Sequence, residues 1–522
     1  MNARGRAPAA LAAATGLVVA ASGLLIACAN RLNPPQPDAS VAGDGVAMEH
    51  RNGDWFAADA TTVDAPPVDA APAHPWPTCP QWDSSGPDLA EKASILDDLI
   101  MKQHFPDGLL RSVVVDDAGT PQKWAHLPST GLWTGMYLAS QALRYAVTRE
   151  PEAAQNAAKA VAGLHELTLV TGIPGLYGRG YARPDTAYTY DVSSSPTWVA
   201  STDPNHAGWY WNDDVSKDSL DGILFGLAVA LEHLDDESVR TVARQDLHTF
   251  AKVFVTNGLN VIDWTGKVTE HGRLFATAID DFPGFNALLA SSWIRTAQLE
   301  SGDPELDQFF SNCLMRLGDS SDCPEIDIVD PGSYMDVIES TLYVYRTDCQ
   351  TSYDNIDMVY QGLYPWLRRE PDPTLRKRLL EVLDHEAWDP KDPSLDPSVR
   401  VSTHTLYIFM YGGLSGVGPE DTELAQAVDE AVCTLRRMPV GRSDRDVAAG
   451  KQETACLNRL GKPNAAEIIP LEERCYDNYL WRLDPYEIPE EHHADPGFIH
   501  SPEDYLLAYW LGRYYGFLSA DM

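Results

Sequence analysis

The stretch from Trp209 to Gly222, WYWNDDVSKDSLDG, sets three aromatic side chains directly before four aspartates. Trp209, Tyr210 and Trp211 offer flat faces that stack on pyranose rings. Asp213, Asp214, Asp218 and Asp221 offer carboxylates for proton transfer. The apolar run ILFGLAVALEHL follows at once, so the acids stand at the start of a helix. Ser216 is the expected N-cap, its side-chain oxygen accepting from a first-turn N–H. Asp218 and Asp221, three apart, then share a helix face, with Asp214 just ahead of the cap. The helix macrodipole also favours first-turn carboxylates, so a capping role and a chemical role are both open here. Read as chemistry, acids beside aromatic platforms are what glycosidic bond cleavage requires.

A second carboxylate is then needed. In VIDWTGKVTEHGRLF, a Gly-bounded loop, Glu270 and His271 are acid/base candidates, with Asp263 and Asp281 as competitors for Glu270. The Gly- and Pro-rich loop TGIPGLYGRGYARP carries Arg179 and Arg183; Arg179 is the candidate to orient a substrate hydroxyl or carboxylate. His206 lies just before the central stretch, and Trp133 stands at the entrance of the helix GLWTGMYLASQALRYAVT. All three are assigned to substrate binding. Carboxylate acid/base chemistry needs no cofactor, and no metal site is assigned: the chain has no C-x-x-C pair, and His492-His493 is only a weak pattern. A G-x-S-x-G elbow and a Walker lysine are likewise missing from the sequence.

The elements that must position these residues are almost all helical. Apolar residues recur at three and four spacing, as in Leu132, Tyr137, Leu138, Ala142 and Leu143. This pattern predicts helices near 88–104, 131–148, 151–168, 217–234, 237–255, 286–301, 304–316, 333–346, 354–369, 373–386, 403–412, 420–437 and 502–517. SVVVDD and NVIDWTG read as short hairpins or loop edges. Successive helix pairs without a fixed-length repeat point to an all-α, (α/α)6 toroid rather than a solenoid. Tyr505, Tyr509 and Trp510 in the last helix read as core, and His404 falls at a helix start.

At these residues the chain resembles six-hairpin glycosidase-type (α/α) toroids, and among them secreted bacterial proteins of poorly defined activity. The resemblance covers Cys79 to the end. It rests on a TG-x-PG-x-x-x-RG loop (171–180), a W-x-(G/D)D-x-S-x-D-x-x-DG segment (211–222), a D-x-x-GK-x-T-x-x-G loop (263–272) and an aromatic helix YW-x-GRYYG (509–516). It implies a carbohydrate-active protein, since such toroids include hydrolases, polysaccharide lyases, epimerases and non-catalytic relatives. Ser219 and Ile223 stand where the related segment often has Glu and His.

The N-terminus reads as an export signal. Arg4 and Arg6 precede an apolar run ending in Leu25-Ile26-Ala27-Cys28, which is similar to the bacterial lipoprotein box. That resemblance makes 1–27 a signal peptide and Cys28 the lipidated first residue of a protein held in the cell envelope outside the cytoplasm. Residues 28–78, rich in Pro, Ala and Asp, read as a tether, and 79–522 as the toroid. The later cysteines are disulfide candidates in an exported chain; Cys313–Cys323 and Cys433–Cys456 close the most local loops. A formal net charge of -37 argues against nucleic acid and against electrostatic docking on anionic lipid, leaving a glycan as partner and the N-terminal lipid as sole membrane contact. The leading expectation is a glycoside hydrolase. Its rivals are a uronate lyase or epimerase using Arg179, His206 and Tyr210, and a glycan-binding scaffold, which acids paired with arginine would favour.

Overall fold

The computed structural model describes residues 76–80, 86–125, 127–184, 197–275, 282–324, 332–342, 346–347, 350–389, 399–444, 451–457, 462–474, 479–488, 495 and 497–522. The signal peptide, Cys28 and most of the expected tether lie outside these residues, as do Asp280, Asp281, His492, His493, Cys349 and Cys475. Packing begins inside the segment expected to be tether, where Trp76 lies 4.9 Å from Phe517.

Helices α1 (Leu89–Leu99), α2 (Thr130–Thr148), α3 (Pro151–Leu169), α4 (Lys217–His233), α5 (Glu237–Thr256), α6 (Pro283–Ser301), α7 (Pro304–Gln308), α8 (Tyr334–Thr341), α9 (Tyr353–Arg369), α10 (Pro373–Val382), α11 (Thr405–Ser415), α12 (Thr422–Arg437) and α13 (Glu503–Tyr514) follow in order. Each expected helix is present, although the one expected over 333–346 stops at Thr341 and Arg346 pairs in a short strand. Where 88–104, 304–316 and 373–386 were expected to run on, the backbone widens into π-turns at Ile100–His104, Phe309–Leu314 and Leu383–Trp388.

The packing partners define a closed ring. In order α2, α4, α6, α9, α11 and α13, each inner helix contacts the next, and α13 returns to α2. These helices are buried nearly all round: α11 alone buries Leu406, Tyr407, Ile408, Phe409 and Met410. Amphipathic partners such as α3, α5 and α12 cover them outside, which makes the fold an (α/α)6 toroid. The chain ends close it. Leu89 N–H donates to the Met522 carbonyl at 2.6 Å. Lys92 donates to three carbonyls at the end of α12, those of Leu435, Arg436 and Met438. A disulfide joins Cys79 to Cys433, with Cα atoms 5.2 Å apart. Cys433 therefore does not pair with Cys456; ring closure brings α12 to the start of the domain, a neighbour that loop length could not reveal. Cys313–Cys323 forms as expected.

The inner helices are parallel. Short turns at 149–150, 234–236, 302–303, 370–372 and 416–421 leave their C-terminal ends, while long connections such as 170–216, 257–282 and 438–502 lead back to their N-terminal ends. The described parts of these connections are thus gathered at one mouth, which is where a scaffold carries its chemistry. The loops hold the short hairpins: Ser112–Val115 pairs with Pro121–Ala125 and with Phe498–Ile499, and Asn260–Ile262 pairs with Val268–Arg273.

A glycine seam sets how closely α2 and α4 approach. A Cβ on Gly135 would stand 2.0 Å from the Gly222 carbonyl oxygen, and one on Gly226 would stand 2.4 Å from that of Gly135. Backbone cannot yield as a side-chain tip can, so Gly135→Ala is expected to destabilise the fold by about 3 kcal/mol, at the upper end for overpacked cores. Urea unfolding of the variant checks this; a loss under about 1 kcal/mol would mean that the helices part easily.

Candidate active site

The first turns of α4, α9, α11 and α13 bring their polar residues together at the mouth. Asp218 lies on α4, Asp354 and Asp357 on α9, Tyr407 on α11, Glu503 and Asp504 on α13. Positive helix ends favour carboxylates, but several acids in a half-buried space repel one another unless a cation joins them or a proton neutralises them. Both solutions occur here.

The cation is Arg482, on the segment 479–483 between α12 and α13. Its guanidinium bonds Asp354, lies 3.6 Å from Asp218 Oδ2 and sits 5.4 Å from the centre of the Trp133 ring. Trp133 itself stacks on Tyr479 at 5.5 Å. Two inner helices, α11 and α13, hold the segment. Asp504 accepts from the Leu480 N–H, and its carbonyl accepts from Trp481 Nε1. Tyr407 Oη donates to the Trp481 carbonyl at 2.7 Å, and His404 Nε2 bonds the Leu483 carbonyl at 2.9 Å. A fully buried ion pair from Arg442 fixes Asp504 in turn.

The acids divide by charge. Burial disfavours ionised Asp218, yet Arg482 and Arg179, with a hydrogen bond from Ser216, outweigh it and hold its pKa below the usual range. Asp357 is buried more deeply; desolvation dominates over the partial compensation by Arg482 and, with Asp354 adding repulsion, pushes its pKa up to about 8. Hydrogen bonds oppose this only in part: Gln361 Nε2 donates to Asp357 Oδ2 at 2.5 Å. Tyr407 Oη is 3.3 Å from Asp357 Oδ1 but 2.7 Å from the Trp481 carbonyl. Its single proton serves the nearer acceptor, so it supports the Asp357 carboxylate only weakly against burial. Asp221 accepts from Trp293 Nε1 at 2.6 Å, and burial raises its pKa well above normal, with Asp357 and Asp218 adding repulsion. Burial and neighbouring Asp504 raise Glu503 in the same way.

The predicted residues fall into two groups. Asp218, Asp221, Trp133 and Arg179 belong to the mouth; Arg179 Nε donates to Ser219 Oγ at 3.2 Å and its Nη1 lies 3.6 Å from Asp214 Oδ2. Ser216 occupies the N-cap position as expected, but its hydroxyl donates to Asp218 rather than accepting from a first-turn N–H, because the adjacent carboxylate is the stronger acceptor. Asp214 is half-exposed at the rim.

The aromatic trio does not form the expected platform. Tyr210–Asn212 is the central strand of a small sheet between Tyr181–Ala182 and Trp198–Ala200. Strand alternation sends Trp211 into the main core and Tyr210 into a minor cluster with Val113, Trp124, Leu127 and Trp198. Trp209 packs against Tyr181, His206 and Arg183. His206 is held between Asp203 and Glu166, tying the loop to α3. Glu270 is exposed and His271 half-buried on the Val268–Arg273 strand, outside the bonds that gather around Arg482. The tip of that hairpin does approach the rim: burial and then the Asp263 charge raise Asp213 to about 6.

Arg482, Asp354, Asp357, Tyr407, Tyr479 and Glu503 were not assigned from sequence. One signal was legible. S-K-D-S-L-D-G-I-L-F-G (216–226) and S-Y-D-N-I-D-M-V-Y-Q-G (352–362) share Ser-x-Asp-x-x-Asp and a following Gly at the same spacings. The two segments start α4 and α9, so Asp218 corresponds to Asp354 and Asp221 to Asp357.

No protein-family profile and no curated relative matches the chain. Solved structures similar to it include the unsaturated glucuronyl hydrolase of Bacillus sp. GL1, at 13% identity and a TM-score of 0.35, covering 81% of this chain and 95% of that one. A sugar epimerase from a ruminal bacterium matches at 10% identity and 0.38, covering 82% and 97%. A Bacteroides ovatus GH9 protein matches at 10% and 0.37, covering 82% of each chain. No residue role is transferred from them.

Two stability measurements test these electrostatics. Burial lowers the pKa of His206 but its two carboxylate partners outweigh that, so the net shift from 6.5 is upward. Its charged form therefore adds stability that is complete below 6.5 and fades as pH rises through the folded value. The Tm gap between the native protein and His206→Gln is expected to narrow from pH 6 to pH 9; a constant gap would contradict the clasp. Asp357 has a linkage of the same sign, with its neutral form the one the fold favours. A raised folded pKa means that stability declines as pH climbs above the unfolded carboxylate value. Asp357→Asn, which mimics the protonated acid, is expected to match or exceed the native Tm at pH 8.

Proposed function

We propose that this protein is a carbohydrate-active enzyme of the cell envelope that hydrolyses glycosidic bonds with carboxylates at the ring mouth. The observation that carries the reading is the division of charge around Arg482. Two acids from different inner helices are held in opposite protonation states, the arrangement a general acid and its ionised partner require. Asp357, protonated up to about pH 8, is assigned as the acid that protonates the leaving oxygen. Asp218, ionised, is assigned as the base or nucleophile. Trp133 and Tyr479 supply aromatic surface beside them, and Arg179 the polar contact at the rim. The Leu25-Ile26-Ala27-Cys28 box supports lipid anchoring through Cys28 and a domain facing outward from the cytoplasm.

Asp218→Asn and Asp357→Asn are each expected to lower glycan hydrolysis by about 10²- to 10⁴-fold. The native rate is expected to hold through neutral pH and fall above about 8, as Asp357 loses its proton. Reducing ends and ultraviolet absorbance, followed together on neutral and uronic-acid polysaccharides, check this. Unsaturated products would replace hydrolysis with elimination. A second reading, glycan binding without catalysis, is favoured by the pairing of Asp218 with Arg482 and of Asp214 with Arg179. Glycan binding with no product of either kind would select it.

A further inference from the structure

We propose that Arg482 is the positioning residue of this mouth, bridging Asp218 on α4 and Asp354 on α9 so that two equivalent acidic turns form one constellation. The proposal rests on the carboxylate reading above but is tested without a glycan.

The geometry is specific to arginine. A planar guanidinium presents donors on several edges and can engage two carboxylates at once, which a lysine ammonium does with far less directional control. Arg482 meets Asp354 through both Nε and Nη2 and reaches Asp218 through Nη2, while its flat face covers Trp133. Its backbone has no freedom to drift, since carbonyls and N–H groups from 480 to 483 bond Asp504, Tyr407 and His404 on two other inner helices. Five of the six inner helices thus converge on one side chain or its immediate backbone. The repeated Ser-x-Asp-x-x-Asp explains the two-sided fit: Asp218 and Asp354 occupy the same place in their turns and meet the same guanidinium. Asp221 and Asp357, one turn further on, occupy the same deeper place, and burial pushes the pKa of both upward.

The charges facing these groups come from every wall of the mouth. Asp218 faces Arg482, Arg179, Ser216 and Asp221. Asp357 faces Arg482, Asp354, Tyr407, Gln361 and Asp221, and lies near Tyr479. Loss of the Arg482 charge removes an attraction from both acids. Loss of the Asp354 charge removes a repulsion from Asp357. The two substitutions therefore act in opposite directions at one reporter. A side chain that merely filled space would move the reporter in neither direction.

The test titrates carbon-13-labelled aspartate carboxyls in the full protein without its leader, with resonances assigned by their loss in Asp218→Asn and Asp357→Asn. In Arg482→Gln the Asp218 midpoint is expected to rise by about 1–3 pH units, with Asp357 rising too. In Asp354→Asn the Asp357 midpoint is expected to fall. Arg482→Lys keeps the charge but not the bridge and is expected to fall between native and Arg482→Gln at Asp218. Unmoved midpoints in folded variants, or shifts of the same sign at Asp357 in Arg482→Gln and Asp354→Asn, would overturn the proposal. If Arg482→Gln does not fold, a fall at Asp357 in Asp354→Asn together with an intermediate Asp218 in Arg482→Lys supports it, and failure of either overturns it. The expected shifts in a protein that hydrolyses no glycan would leave Arg482 in its role and remove the hydrolase reading alone.

Discussion

Six inner helices point the same way around the ring, so their N-termini share one end. That constraint gathers unpaired N–H groups and the positive ends of aligned peptide dipoles in one place, where carboxylates are favoured. Acids at adjacent helix starts then crowd one another in a half-buried space. They are reconciled by one arginine and by protons: Asp218 and Asp354 share Arg482, while Asp221, Asp357 and Glu503 are driven toward the neutral form by burial and by their neighbours. A set of acids in different protonation states is thus a consequence of the ring.

The opposite end obeys the same rule with the signs reversed. Arg368 and Arg369 lie in the last turn of α9, where cations complement the dipole. Arg368 pairs with Glu232 at the end of α4 and lies 3.0 Å from Tyr514 Oη at the end of α13, and Tyr515 bonds Tyr364. His233, buried beside them, has its pKa lowered to about 4 by desolvation and so stays neutral. This end joins three inner helices through compact side-chain contacts, and short turns leave it. The long connections lead back to the mouth, where the segment carrying Arg482 is built.

Position in the mouth also depends on how closely helices approach. The seam at Gly135, Gly222 and Gly226 brings α2 against α4, placing Trp133 beside the segment that Asp218 engages. Arg442 and Asp504, buried as a pair, hold the C-terminal connection to α13 and through it the backbone of Leu480 and Trp481. Such a pair costs desolvation and is retained here where it fixes the geometry of a loop.

Helical periodicity in local sequence determined the helices of the described residues and their buried faces, because an apolar face repeats within each segment whatever it packs against. The same locality made Asp218 and Asp221 legible as acids at a helix start. It also made Trp209, Tyr210 and Trp211 look like a platform, because sequence states that aromatics are adjacent but not which face of a strand each one takes. Arg482 lies more than two hundred residues from Asp218 and more than a hundred from Asp354, as does Cys79 from Cys433. No local pattern encodes these pairings. The repeated Ser-x-Asp-x-x-Asp was present in the sequence, but only ring closure made its two copies partners. Charge states were decided later still, since desolvation and the distance to a guanidinium exist only once the helices have packed.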